Sequence, residues 1–418
     1  MAGGYTIVLA LEGQLRLDDQ PAFHEAVALA QRQGGGQLVV LASRPVDQRL
    51  RGPHQRRLEA RALASLRARL AVEAIPLLHF PQQSREEALT MMRPLLRPAA
   101  VLCCQESRLF SDWPLAAANF PRVFSDFRRR LERSPDPPLP PPDLSGLGGA
   151  AQHWPEAWLQ PAPAGAAGAS LGPAPDAHPC DPRSAFPFSG DEPSALARLQ
   201  HYFFNSDGLR NYKASRNGLV GTQFSSKFSP FLGIGSLSVR RIWQELLRYQ
   251  DLQGHTTDEG AEWMKQELLW REFFIWSEQC HGASFHAPGG IQGRPAQGLA
   301  QGNAERERFR RWTLANCGHP LIDAQLRELL ATGYLSNRGR QWVASHFVNE
   351  LRLPWTWGAR FFEWMLIDAH PALNSGNWAY LAGVGSDPRS FAGTPRRFDL
   401  ERQLRQYDPQ EMHRKLWT

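Results

Sequence analysis

The sequence predicts a two-part protein, a small, doubly wound parallel α/β sheet domain over residues 1–133 followed by a large all-α domain over 181–418. Three observations carry this. Short apolar runs alternate with Arg/Ala/Leu-rich stretches of helical period in the first third. The composition then shifts to Pro, Gly and Ala across 134–180, and eleven of the fourteen Trp lie from Trp243 onward, among stretches that read as helical.

In chain order, the apolar runs Tyr5 to Leu11, Leu38 to Ala42, Ile75 to Phe80 and Ala99 to Cys104 read as buried parallel strands, and Arg56 to Val72 reads as a covering helix. No GxGxxG or Walker sequence follows a strand, so no nucleotide site of those kinds is indicated. The segment containing PDPPLPPPDL and APAGAAGASLGPAPDA cannot bury enough apolar surface to order itself and is read as a linker. Beyond Phe186, helices are expected at Glu192 to Phe204, Gly235 to Tyr249, Thr256 to Cys280, Leu321 to Ala331, Asn337 to Glu350, Trp357 to Ala369 and in the tail from Asp399. Thr257 and Asp258 are the N-cap candidates of the longest one.

Composition removes several classes. With 418 residues and 42% hydrophobic content, the chain has material for ordinary cores, and it holds no apolar run of the length a membrane helix needs. Its start, MAGGYTIVLALEGQ, lacks the basic and long apolar regions of a signal peptide, so a cytoplasmic monomer without membrane contact is expected. Five cysteines with no CxxC or Cys/His spacing argue against a disulfide framework, a metal site or an iron–sulfur cluster. The net charge of +6 permits phosphate binding without demonstrating it.

Four constellations carry chemistry. Phe224-Ser-Ser-Lys-Phe-Ser-Pro230 offers hydroxyls, a Lys and backbone N–H groups near a helix start, the makings of a pyrophosphate cradle; a plain Ser N-cap is the simpler alternative. Glu267, Trp270 and Arg271 share one helix face, as either a cavity wall or an ordinary charged face with a core Trp. Asn337, Arg338 and Arg340 open one helix and Asp368 is expected to end another, with Arg340 as the natural partner for a buried Asp368. Asn374 and the Asn377-Trp378-Ala-Tyr380 run follow closely, and Trp355, Trp357, Trp364 and Trp378 are core aromatics or parts of a redox chain.

In combination, DPRSAFPFSGDEPSALARL, NYKASRNGLVGTQFSSKFSPFLGIGSLS, ELLWREFF, HPLIDAQLRELLATGYLSNRGRQWVAS and GNWAYLAGVGSDPR resemble the photolyase/cryptochrome family and occur in that family's order, with the DASH cryptochromes as the matching branch. The likeness covers about Asp181 to Pro409, and VFSDFRRRLE from Val123 also looks like a DASH element. It implies an FAD-binding helical domain. Tyr212, Ser225, Ser226, Lys227, Phe228 and Ser229 match the segment gripping the FAD phosphates, and Arg271 a flavin-contacting Arg. Arg340 and Asp368 match the salt bridge beside the flavin ring, His370 stands near that ring, and Asn374 matches the residue facing flavin N5. Glu267, Trp270 and Asn337 match groups that contact an extruded pyrimidine dimer, and Arg338, Gln341 and Tyr380 extend the DNA-binding set. Trp378 and Trp355 match the proximal and middle members of an electron-transfer triad.

Departures from the family pattern refine these expectations. The first domain is abbreviated after Cys103-Cys-Gln-Glu106. Glu106 aligns with a glutamate that contacts a folate antenna, but its surroundings are missing, which counts against an antenna. His370 replaces an acidic residue, and as a cation it would favour anionic reduced flavin. No Trp occurs from Ser277 to Arg311, where the distal triad member belongs, so slow or rerouted photoreduction is expected. Tyr380 and Gln341 are DASH-like choices that imply a preference for single-stranded DNA. The implied function is FAD-dependent, light-driven repair of cyclobutane pyrimidine dimers in single-stranded or looped DNA; the alternative is a non-repair blue-light receptor or nucleic-acid-binding flavoprotein. A degenerate homologue with structural FAD or none is the third reading.

Overall fold

The computed structural model describes residues 5–32, 36–44, 51–113, 119–131, 133–144, 147, 180–254, 258–294, 302–391 and 396–418. Strands β1 (Thr6–Leu11), β2 (Gln37–Arg44), β3 (Leu77–Ser84) and β4 (Pro98–Cys103) pair in parallel in the order β3-β2-β1-β4. Every residue of β1 is buried, as a strand covered on both faces requires. Its side chains divide by the period of two: Ile7, Leu9 and Leu11 join one core, and Val8 joins Val39, Leu41, Leu78 and Phe80 in the other. Helix α3 (Arg85–Leu96) covers the second face through Ala88, Met92 and Leu96. Helices α1 (Pro21–Arg32) and α2 (Pro53–Val72) contribute Phe23, Ala26, Leu58 and Leu66 to the first. Strands thus run outward from β1 in both directions with helices on both faces, which is the doubly wound arrangement.

Three of the four apolar runs become strands within a residue or two of their expected bounds, and β3 begins and ends later than its run. Ser84 closes β3 and opens α3 through a capping box, its hydroxyl accepting from Glu87 N–H and its own N–H donating to the Glu87 carboxylate. Helix α4 (Phe124–Arg130) buries Phe124 and Phe127 against the helical part of the molecule.

In the helical part the expected elements form with shifted ends, each for a local reason. The helix expected over Glu192 to Phe204 is α-helical only over Glu192–Gln200 and widens into a π-turn at His201–Asn205. The one expected from Gly235 starts at Val239, capped by Ser238; Gly235 instead ends the Ser229–Ile234 helix with φ +71. A Cβ there would also lie 2.3 Å from Gly13 O, so both conformation and approach demand glycine. Asp258 caps the Glu259–His281 helix; Thr256 and Thr257 lie outside the described residues. The helix expected over Trp357 to Ala369 spans Trp355–Met365, and Asp368 does not end it but sits three residues beyond. The chain leaves the helix because Leu366 turns extended and Ile367 N–H donates to Gly333 O at 2.9 Å.

Most of the expected linker, residues 145, 146 and 148–179, also lies outside the described residues. Its first part is pinned at Leu139, which donates to Asp19 Oδ1 at 3.0 Å and accepts from Asp19 N–H at 3.1 Å. Asp19 belongs to the buried segment 14–20 that joins the two parts. Its side chain, fully buried, accepts a two-pronged pair from Arg240 at 2.8 and 2.9 Å and a bond from the Ser238 hydroxyl. Asp18 pairs with Arg241 in the same way, Arg16 donates to Gly235 O at 2.9 Å, and Glu192 accepts from the N–H groups of Leu17 and Asp18. Asp19→Ala leaves Arg240 buried without its counter-charge, and a loss of about 3–5 kcal/mol is expected in urea unfolding; an unchanged midpoint and slope would contradict this account of the joint.

Candidate functional site

A cavity of about 430 Å³ opens within the helical part. Its walls come from the Ser225–Ser229 loop, the Glu259–His281 helix, the Asn337–Asn349 helix, the Pro371–Leu381 helix and the turn holding Asp368. Among the residues singled out from sequence, Tyr212, Ser225, Ser226, Lys227, Phe228, Ser229, Glu267, Trp270, Arg271, Asn337, Arg340, Gln341, Asp368, His370, Asn374, Trp378 and Tyr380 line it. Arg338 and Trp355 do not. Segments separated by more than a hundred residues therefore share one enclosure.

Helical spacing delivers Glu267, Trp270 and Arg271 together. The carboxylate of Glu267 pairs with Arg216, another wall residue, which holds it as an oriented acceptor. On the Asn337–Asn349 helix, the Ser336 hydroxyl accepts from Gly339 N–H at 3.0 Å and sets the start, so that Asn337, Arg340 and Gln341 face the cavity. A Cβ on Gly339 would fall 1.9 Å from Gln325 Oε1, and this close packing fixes how the helix enters.

Arg340 donates to Asp368 Oδ2 at 2.8 Å and to Leu335 O at 3.0 Å, so the pair expected between them is formed. The other carboxylate oxygen, Asp368 Oδ1, is buried with no protein partner, the kind of acceptor that a bound donor satisfies. Asn374 donates to Ala359 O at 2.7 Å, which orients its amide and leaves Oδ1 for a ligand. Arg198 donates to the carbonyls of Thr222, Ser225 and Ser226, gathering the loop from behind.

Lys227, expected within the phosphate-gripping segment, lines the cavity but is not an exposed cation. Its backbone is left-handed at φ +64, and its side chain is buried with Nζ donating to the Tyr334 hydroxyl at 3.1 Å and lying 3.0 Å from the Phe224 ring centre. Burial pushes the amine well below the usual lysine range, an effect that the distant Glu328 charge only opposes. The group is an aromatic-caged donor holding Tyr334, not a free surface charge.

His370 and Arg271 meet a residue from the first domain. Glu106 Oε1 accepts from His370 Nε2 at 2.6 Å and from Arg271 Nη2 at 2.7 Å. Burial works against the charged form of Glu106, but His370, Arg271 and Arg108 outweigh it and hold the carboxyl below the usual carboxylate range. The residue aligned with an antenna contact thus bonds to two residues of the cavity wall. Behind Arg271, Glu272 is fully buried and accepts from Leu109 N–H at 2.8 Å and the Trp276 indole at 3.1 Å; burial, only partly offset by Arg271, pushes its carboxyl up to about 7.

The tryptophans separate by surroundings. Trp378 lines the cavity and packs edge-on against Trp312, Phe347 and Phe362, at 6.5, 5.5 and 5.1 Å between ring centres. A Cβ on Gly358 would come within 2.2 Å of its ring, so this glycine admits the indole. Trp355 is buried away from the wall and donates to Pro288 O at 2.8 Å, Trp357 packs on Phe309, and Trp364 is 39% exposed. Arg338 lies over the Tyr407 ring and donates to Gln341 and Asn217, while the Tyr380 hydroxyl accepts from Arg396 at 3.1 Å.

Sequence reasoning missed Arg216, Tyr334 and Arg396 as wall residues and Glu106 as the partner of His370. Arg216 and Tyr334 stood inside the quoted motifs, whereas nothing local in the sequence links Glu106 to a residue 264 positions away. Among the described residues, no group of three or more His, Cys, Asp or Glu is placed to hold a metal ion, and no helix is long and apolar enough to cross a membrane.

A family model for the FAD binding domain of DNA photolyase matches residues 263–418. A cryptochrome DASH of Synechocystis sp. is 35% identical over 362 residues, covering 81% of this chain and 67% of the relative. One of Gloeobacter violaceus is 39% identical over 313 residues, covering 73% and 57%. The solved structure of a Synechocystis sp. PCC6803 cryptochrome superimposes with a TM-score of 0.77 at 30% identity, over 100% of this chain and 89% of that one. The chain spans about two thirds or less of the length of these two curated relatives. It belongs to the photolyase/cryptochrome family, and its relatives named here are DASH cryptochromes. The donor set of the cavity suits FAD: polar groups of the Ser225–Ser229 loop for phosphates, and Arg340, Asp368 and Asn374 for a ring bearing both donors and acceptors.

Glu272 gives the wall a pH signature. With its folded-state carboxyl near 7 against an ordinary value of 4.5, the unfolded chain releases the proton first, so its contribution to stability is present below about pH 4.5 and is lost as pH rises to about 7. Glu272→Gln keeps an acceptor for Leu109 N–H and removes this slope. Denaturation curves from pH 4.5 to 7.5 showing the same slope in both proteins would contradict the assignment.

Proposed function

We propose that the chain repairs cyclobutane pyrimidine dimers, preferentially in single-stranded or looped DNA, in a light-driven reaction. When bound, reduced FAD would supply the photoexcited electron that opens the dimer. The observation that carries this reading is the shared cavity: Glu267, Trp270 and Asn337 line the same enclosure as Arg340, Asp368 and Asn374. A dimer cannot reach such an enclosure from within a duplex and must be extruded, at a cost that is lower in a single strand. Trp270 offers a stacking surface for the extruded base. Glu267, oriented by Arg216, and Asn337, whose amide is exposed at the helix start, read its polar edge. Tyr380 and Gln341, tied to Arg396 and Arg338, give this wall a lighter aromatic lining than a second indole would, which fits a preference for the less costly single-stranded substrate.

The non-repair receptor reading draws on His370. Its tie to Glu106 holds an ionisable ring at the cavity wall, and as a cation it would favour anionic reduced flavin.

The purified, yellow protein is expected to restore a dimer-containing single-stranded oligonucleotide under blue light and to act less on the duplex. Trp270→Ala is expected to weaken dimer binding by about tenfold. A flavin-loaded protein that restores neither substrate would overturn repair in favour of the receptor. For the ring beside the flavin, His370→Asp is expected to move the flavin midpoint potential in the negative direction, and an unchanged potential would refute a cationic His370.

A further inference from the structure

The tightest near-parallel aromatic pair among the described ring contacts joins the two parts of the molecule at the cavity. Phe124, the first residue of α4, lies on Trp270 with ring centres 3.9 Å apart and planes 14° from parallel. We propose that Phe124 is a positioning residue of the substrate site, backing one face of Trp270 and so fixing the plane on which a single extruded pyrimidine stacks; this rests on the reading of Trp270 given above.

The other neighbours of Trp270 cannot do this. Phe273 and Tyr380 meet it edge-on, at 85° and 86° with centres 5.6 and 6.1 Å away, and Phe274 is tilted by 34° at 5.3 Å. Edge contacts confine the rim of an indole but leave its plane free to swing about χ2, whereas a face contact at stacking distance sets that plane. Phe124 is itself held, 8% exposed, with Phe127 and Phe273 against its ring. Phe120 packs on both of these, so the platform is anchored in a cluster of four phenylalanines drawn from both parts of the chain. Phe273, which braces Phe124, follows Trp270 by three residues on the same helix, so the brace and the indole share one rigid element.

A consequence for ligand class follows from geometry. With one face of Trp270 taken, a flat ligand can stack only on the other, so the site accepts one base face and cannot serve as an intercalating wedge between two bases. Glu267, one turn earlier on the same helix, then meets the polar edge of that same base.

The test uses the FAD-loaded full chain with a dimer-containing single-stranded oligonucleotide. Phe124→Leu, which fills much of the volume without a flat ring, is expected to weaken dimer binding by about fivefold, with a lowered thermal midpoint but full FAD occupancy and a folded protein at the assay temperature. Phe124→Tyr, which keeps the ring, is expected to bind as the native protein does. In a Trp270→Ala background, Phe124→Leu is expected to add nothing, because the effect passes through the indole. Native affinity in Phe124→Leu while Trp270→Ala binds weakly would overturn the positioning role and leave the repair reading intact. An equal loss in both backgrounds would also overturn it. Native affinity in Trp270→Ala would bring down the substrate reading of Trp270 and this role with it.

Discussion

The molecule depends on a buried ionic joint. The Asp19 side chain has no exposure to water and sits in a left-handed backbone conformation, and it is tolerated there because Arg240 approaches with two parallel N–H groups while Ser238 and Leu139 fill its remaining lone pairs. Removing two charges from water is costly, and only such full satisfaction offsets the cost. The return is geometric. Ser238 also caps the Val239–Leu252 helix, and its hydroxyl touches Ser107, the neighbour of Glu106. The joint thereby sets where the segment that reaches the cavity begins.

The cavity follows the same logic at smaller scale. Four polar side chains on its wall each have a protein partner that spends one of their bonding directions: Glu267 on Arg216, Asn374 on Ala359, Arg340 on Leu335, Tyr380 on Arg396. Groups held in this way reorganise little when a ligand arrives, which is the condition for electrostatic work by a preorganised site. Lys227 shares this behaviour but is more deeply buried than the others. Its nitrogen is turned toward Tyr334 and the Phe224 ring, within the protein.

Much of this was legible in the chain because the relevant signals are local. Apolar runs of strand length flanked by helical periods specified the sheet, and i, i+3, i+4 spacing put Glu267, Trp270 and Arg271 on one wall. The pairing of Arg340 with Asp368 followed from the cost of a buried lone carboxylate. What stayed hidden was whatever depended on tertiary approach. The helix preceding Asp368 stops early because Ile367 is captured by Gly333, and the left-handed turn at Lys227 buries an amine that composition would place at a surface. Phe124 read only as part of a short motif, since nothing in its neighbours reveals a ring lying on it from a helix well over a hundred residues away.

The bond from Glu106 to His370 and Arg271 has a broader meaning. The electrical character of the cavity is not a property of the helical part alone, because one of its balancing charges is lent by the segment that follows β4. An isolated helical part would present Arg271 and His370 without that counterweight, a wall more positive than the one the whole chain builds. In this molecule the sheet domain therefore supplies one pole of the cavity's charge balance, across the joint between the two parts.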